Sequence, residues 1–351
     1  MHFKYPFHEW MAVLRTLPVT IKMAVSWTSM STDASPYGWW VELRQYISTA
    51  FTDPSAPSTV SQRTELVRTA AAQRAAGRRV DEAVSVLEDN SEVLIYVMRD
   101  PQAKRTFVIK TARELGRVRL QREVRVHLHL RTLRHLPGAS GLLLPAHTTS
   151  SMIVTPYHPL GDLFSHLERG KLLGQRQVVV LITDVLQTIA MLHHHGLAHN
   201  DIALENIVLA KDSRGMVRAK LIDFEMVTDL SDRSGGCFGG RCGMHAPEMM
   251  VEDAPSRVRH PEMSDLWAIG MVLYTVLTST APWRHAGVCP DTNRMDPHYA
   301  AYQRSPRKFL ETRIDAAHRA VIPLLLCLLC INPASRSTAR VVLRDTWLQT
   351  M

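Results

Sequence analysis

The chain has 351 residues and a formal net charge of +8, with 46% hydrophobic and 21% charged residues. That balance excludes a wholly disordered or collagen-like chain, and the length allows one large domain or two ordinary ones, each with a real core. The basic excess is dispersed among Ala, Leu and Val between Arg63 and Arg134, without zinc-finger spacing or an RNP-type aromatic motif; it reads as a solvated face, and no nucleic-acid partner is expected.

In residues 1–79, Lys4, Glu9, Arg15 and Lys22 interrupt the apolar residues, so no clean signal peptide can be drawn. The stretch from Ser48 to Ser61 is rich in Ser, Thr and Pro and reads as a linker; Thr64 to Arg79 is Ala- and Arg-rich, a helix former with little to bury. This extension is expected to be partly disordered. Strand-favouring residues follow: Val84 and Val86, then Val93 to Met98 after a polar interval, then Thr106 to Lys110. Helical periodicity starts near Leu115 and runs through Val118, Leu120, Val124, Leu128 and Leu133. Short strands are expected at Leu142–Pro145 and Met152–Thr155. From Asp162 onward the chain is mainly helical, with a β interlude around Ile207–Leu209 and Ala219–Ile222. A strand-rich part followed by a helical part predicts an α+β protein with two lobes. The longest apolar run, residues 321–331, contains Pro323 and is about half of what a spanning helix needs, so no membrane span is expected. Five cysteines make no disulfide framework in a chain of this length, and the odd number suits a reducing compartment. An intracellular location, cytoplasmic or nuclear, is the expectation.

The second half carries short motifs in one order. His199-Asn200-Asp201 is followed by Asn206; then come Asp223-Phe224-Glu225, Ala246-Pro247-Glu248, Ser264-Asp265-Leu266-Trp267, Ala281-Pro282-Trp283 and Asn332-Pro333-Ala334-Ser335-Arg336. Each alone is weak, but their order and spacing together resemble the eukaryotic protein kinase domain, from about Val80 to the end. The resemblance implies a two-lobed fold, with an extension over 1–79, an N-lobe with hinge over 80–158 and a C-lobe over 159–351. It implies ATP and Mg²⁺ as cofactors and transfer of the γ-phosphate to Ser or Thr hydroxyls of a protein, the partner being a protein substrate or regulator. Under it Asp201 orients the acceptor hydroxyl, while Asn206 and Asp223 hold the metal. Lys110, at the end of Phe107-Val108-Ile109-Lys110, holds phosphates and pairs with Glu123. Val108, Thr155 (as gatekeeper) and Tyr157 (in the hinge) border the nucleotide. Asp265 corresponds to the residue that anchors the catalytic-loop backbone, His199 and Phe224 to members of the spine between the lobes, and Glu248 and Arg336 to a buried ion pair.

The pattern also breaks. Val86 to Val93 occupies the place of the glycine-rich loop, yet Glu88, Asn90 and Val93 stand where its glycines belong. Side chains there obstruct the approach of backbone N–H groups to phosphates, and Glu88, Asp89 and Glu92 bring negative charge toward a polyanion. Asn200 replaces the usual Arg, Ala203 stands where serine/threonine kinases carry a Lys, Glu225 replaces the Gly of D-F-G, and Val108 replaces a small Ala. Two readings therefore stand: a serine/threonine kinase of low activity, and a pseudokinase serving as a binding or scaffold module. The glycine-rich Gly235 to Gly240, with Ser231 and Ser234 before it, reads as a flexible part of the activation segment. Cys237 and Cys242 are a weak candidate pair. Cys327 and Cys330 read as core residues rather than metal ligands.

Overall fold

The computed structural model describes residues 82–100, 105–231, 244–249, 260–289 and 294–349. The expectations for residues 1–79, for Ser234 to Gly240 and for Cys242 lie outside the described residues. The chain divides into two units, the first running to Leu128 and resuming over Leu144–Tyr157, the second made of His129–Leu143 and the chain from His158 onward.

In the first unit β1 (Glu82–Asp89), β2 (Val93–Asp100), β3 (Arg105–Ala112), β4 (His147–Thr149) and β5 (Met152–Pro156) form one antiparallel sheet in the order β1-β2-β3-β5-β4. Helix α1 (Arg117–Thr132) leaves β3. The two-residue period of the strands sorts their side chains by face. Tyr96, Met98, Ile109 and Met152 pack together with Leu94 and Val154 on one side, while Ile153 packs with Leu120 and Val124 of α1 on the other. Lys110 lies opposite Ile95 and Ile153 in the ladder, which places it on the helix-bearing face.

Helix α1 corrects one expectation. Leu115, Val118 and Leu128, read as part of its apolar stripe, are exposed (74%, 75% and 51%). The buried face is instead Leu120, Glu123, Val124, His127 and Leu130, at helical spacing but with two polar members. A stripe scored on hydrophobicity alone passes over Glu123 and His127 and takes up neighbouring Leu and Val in their place.

The second unit is built around α3 (Gln175–His194), which follows the short α2 (Leu163–Glu168), and around α4 (Pro261–Thr278). Helix α3 is the one described helix with the length and hydropathy of a membrane span, and 61% of its apolar window is buried inside the protein. Between the two helices the chain forms β6 (Leu197–Ala198), the hairpin β7 (Ile207–Lys211) and β8 (Val217–Leu221), and β9 (Thr228–Asp229), which pairs with β6. Every residue of α4 from Asp265 to Val276 is buried, so the helix is enclosed on all sides. Trp267 of α4 joins an aromatic cluster with Trp283, with Tyr299 and Tyr302 of α5 (Pro297–Arg304), and with Phe309 of α6 (Pro306–Arg313). Arg336, its side chain fully buried, donates to Glu248 through Nη1 and Nη2 at 2.6 and 3.0 Å and to the carbonyls of Met263 and Cys330. All these acceptors are needed, because a buried guanidinium is tolerated only when its donors are matched. Cys327 is a second correction: it is exposed on α7 (Ile322–Leu328), whose turns bury Leu324, Leu325 and Leu328 instead.

Close packing of α4 on the segment after α7 depends on Gly270. A Cβ there would lie 2.8–3.0 Å from Leu329 Cδ2, Leu329 Cγ and Leu328 Cβ. Gly270→Ala is expected to cost about 1–3 kcal/mol despite its better helix propensity, since overpacking outweighs that gain; urea unfolding with an unchanged or higher midpoint would contradict this packing.

Candidate active site

The candidate residues fall into two groups, one in each unit. In the first, Lys110 Nζ lies 2.8 Å from Glu123 Oε2, the two side chains being 14% and 4% exposed. His127, one helical turn beyond, lies 3.7 Å from the other carboxylate oxygen. Burial alone would push the Glu123 carboxyl up, but the Lys110 ammonium and His127 outweigh it and hold the group below 4.5. Val108 and Thr155 face each other in the β3–β5 ladder, with Thr155 Oγ1 3.5 Å from the Val108 carbonyl. Tyr157, partly exposed, is held by its backbone N–H, which donates to the Thr106 carbonyl at 3.0 Å.

The β1–β2 turn shows what replaced the glycines. Asn90 Oδ1 accepts the backbone N–H groups of Glu92 and Val93, both at 2.8 Å, and the Asn90 N–H donates to the Val93 carbonyl at 3.0 Å. Its Nδ2 donates to Glu88 at 2.7 Å. Asp89 pairs with Arg113, and Glu92 with Arg119 of α1 at 2.6 Å. The Arg113 N–H also donates to the Glu92 carbonyl at 2.7 Å, an approach that Gly116 permits, since a Cβ at 116 would collide with that carbonyl. Each acidic side chain of the turn is therefore engaged by a donor, and two of its backbone N–H groups are committed to Asn90. Asn90 was expected only as a side chain in place of a glycine, not as the residue that closes the turn, and Arg113 and Arg119 were not among the residues expected to matter; the one sequence signal was an Asn in a short hairpin loop, where its side chain readily bonds the backbone two residues on.

In the second unit the loop after β6 is held from below. Asp265, 1% exposed, accepts the backbone N–H groups of His199 and Asn200, both at 2.8 Å, and lies 2.9 Å from His193 Nε2. Asn200 takes φ 62, a left-handed conformation in which Asn is among the better tolerated residues. Its Nδ2 donates to the Met226 carbonyl at 3.0 Å and to Thr228 Oγ1 at 2.8 Å. Where the family pattern has an arginine, this chain thus has a neutral tie between the loop and the segment after Asp223. His199 and Phe224 pack in a tilted arrangement with ring centroids 5.2 Å apart, both fully buried.

Asp201 and Asn206 are in direct contact, Asn206 Nδ2 donating to the Asp201 carbonyl and to Asp201 Oδ2, each at 2.8 Å. The Asn206 carbonyl accepts the N–H of Ile222 at 3.0 Å, tying this loop to the residue before Asp223. Asp223 carries the left-handed conformation of the next turn, φ 64, and Phe224–Met226 forms a 3-10 turn. Glu225 is not in the positive-φ region, so replacing the glycine of D-F-G leaves no backbone strain at that position.

The first unit generates two predictions. Asn90→Gly should speed amide exchange at Glu92 and Val93 by about fivefold, because each loses a hydrogen bond worth about 1 kcal/mol; unchanged exchange at both amides would contradict the assigned closure. The second concerns pH. With Glu123 held below its ordinary value, the Lys110 pairing contributes stability that is complete above 4.5 and is lost as pH falls through the folded value. Lys110→Met leaves burial to push Glu123 up. The stability difference between wild type and variant should therefore narrow as the pH is lowered through 4.5, read from thermal midpoints; a difference that is constant with pH would contradict the pairing.

Comparison with known proteins identifies the family. Residues 91–348 match the family described as Protein kinase domain. The chain is 27% identical over 189 residues to the serine/threonine-protein kinase zyg-8 of Caenorhabditis elegans, covering 54% of this chain and 23% of that protein. It is 26% identical over 277 residues to the hormonally up-regulated neu tumor-associated kinase of Mus musculus, covering 77% of this chain and 34% of that protein. It thus spans about a quarter to a third of the length of these relatives. Among solved structures, the Rad53 kinase domain with SCD2 aligns with a TM-score of 0.55 at 21% identity, covering 76% of this chain and 89% of that one. With its motifs, its two units and a family match that takes in most of its length, the chain belongs to the protein kinase domain family.

Proposed function

We propose that this domain binds ATP with Mg²⁺ and transfers the γ-phosphate slowly to Ser or Thr hydroxyls of a protein substrate. The observation that carries the reading is the Asp201–Asn206 contact, held on the backbone anchored by Asp265. In phosphoryl transfer the protein contributes mainly positioning and charge stabilisation, so an intact loop geometry counts for much. Asp201 accepts the hydrogen bond of the acceptor hydroxyl and aims its oxygen; its own orientation is fixed by Asn206 Nδ2. Because that amide uses its nitrogen on Asp201, its Oδ1 has no donor among the described residues and suits a hard cation, as does the Asp223 carboxylate. Mg²⁺ held there supplies charge neutralisation at the phosphates. Lys110, paired with Glu123, contacts the nucleotide phosphates, and Val108, Thr155 and Tyr157 border the base.

Two features favour low turnover. Ala203 offers no cation to the transferred phosphoryl group, and losing one such donor typically costs about 10²–10³ in rate. The Asn90 turn keeps two backbone N–H groups from the phosphates, although its carboxylates repel them less than the bare sequence implies, since Arg113 and Arg119 offset the charge. That closed turn is also the specific support for the second reading, a pseudokinase that binds partners without transfer.

Asp201→Asn separates the two. It should abolish transfer while leaving nucleotide affinity within about twofold, because the side chain faces the acceptor rather than ATP. The check is isothermal titration with Mg·ATP beside a transfer assay on a generic basic protein. Undiminished transfer by the variant would remove the assignment from this loop.

A further inference from the structure

A cavity of about 390 Å³ lies in the second unit, and none of Asp201, Asn206 and Asp223 lines it. Its walls are the turn at Ser140–Gly141, His158, Asp184 of α3, and the β7–β8 hairpin. The polar groups divide unevenly. Asp184 is fully engaged: it accepts Arg218 Nε at 2.9 Å, Arg218 Nη2, and the N–H of Ala219 at 3.0 Å. Asp212 caps its own hairpin turn, its Oδ1 accepting the N–H groups of Arg214 and Met216 at 2.9 Å. The donors are less occupied. Among the described residues Lys220 Nζ bonds only the Ser140 carbonyl, and neither Lys220 nor Lys211 has a carboxylate within ion-pair distance. His158 Nε2 is buried without a hydrogen-bond partner. Burial disfavours the charged form of both Lys220 and His158; at Lys220 the Asp184 charge partly offsets it while Arg218 adds to it, and at His158 the nearby Lys220 adds to it.

A cavity with two lysines that lack a carboxylate partner among the described residues, beside an Asp184 already engaged by Arg218 and Ala219, fits a ligand made of acceptors. Its volume falls within the range of small-molecule sites, and lysine is a common phosphate binder as a point charge. We propose that this cavity is a second binding site, for a small phosphate-bearing anion, with Lys220 and Lys211 donating to the phosphate oxygens and His158 forming the wall beside them. The site is independent of phosphoryl transfer and stands whether or not the domain is an active kinase.

The test is a titration of the full chain with inorganic phosphate and, separately, with pyrophosphate, against sodium chloride at matched ionic strength. Thermal unfolding and the His158 imidazole resonances are followed together. The expected result is a saturable rise in midpoint, steeper for pyrophosphate, with the His158 resonances shifting over the same concentrations. Lys220→Met should weaken the apparent affinity by about tenfold, and Lys110→Met should leave it unchanged. A response that follows ionic strength alone, or an unmoved His158, would overturn the proposal. So would a response lost in Lys110→Met but kept in Lys220→Met, which would place the anion at the nucleotide phosphates instead.

Discussion

One buried carboxylate organises the second unit. Asp265 projects from a helix enclosed on all sides and meets three donors, two of them consecutive backbone N–H groups of the His199–Asn200 segment. A charge in such a place is tolerated only because every lone pair that matters finds a donor. In return the loop loses its freedom: with the N–H groups of 199 and 200 fixed, Asn200 is held at positive φ and Asp201 follows in a set direction. The aromatic cluster around Trp267 and the buried Arg336–Glu248 pair hold α4 itself, so the loop inherits the rigidity of the core.

The departures from the family pattern act on that frame differently. Asn200 removes the cation to which an activation-segment phosphate would pair, yet its amide bonds Met226 and Thr228 and fastens the two loops without phosphate. Glu225 leaves the backbone unstrained. The β1–β2 turn changes more: a loop that elsewhere presents free backbone N–H groups is here closed by Asn90 and pinned by Arg113 and Arg119. Phosphate binding would then rest more heavily on Lys110 and a metal than on the turn.

Much of this was legible from residues. Strands at 93–98 and 106–110 follow from their β-branched and apolar runs, and motif spacing pointed to Asp201, Asn206, Asp223 and the Lys110–Glu123 pair. The face that Lys110 shares with Ile95 and Ile153 follows only from the register of the ladder. What was not legible is where polar residues sit in places that hydrophobic patterns pass over. Glu123, expected as the partner of Lys110, and His127 occupy the buried face of α1 while Leu115, Val118 and Leu128 stay exposed. Asn90 acts through bonds that exist only once a three-residue loop closes. Arg113 and Arg119 are surface cations in the sequence and acquire partners only when the hairpin folds against them. Cys327 sits in an apolar run but on the exposed side of a short helix.

The central claim is that the anchored loop still supports phosphoryl transfer despite the closed turn. The most direct measurement is a single-turnover assay with γ-labelled ATP and Mg²⁺ at saturating concentrations on a generic basic protein, so that weak nucleotide binding cannot mask the chemistry. Slow but measurable incorporation of label on Ser and Thr is the expected result. Nucleotide bound to saturation with no label transferred above background would contradict it.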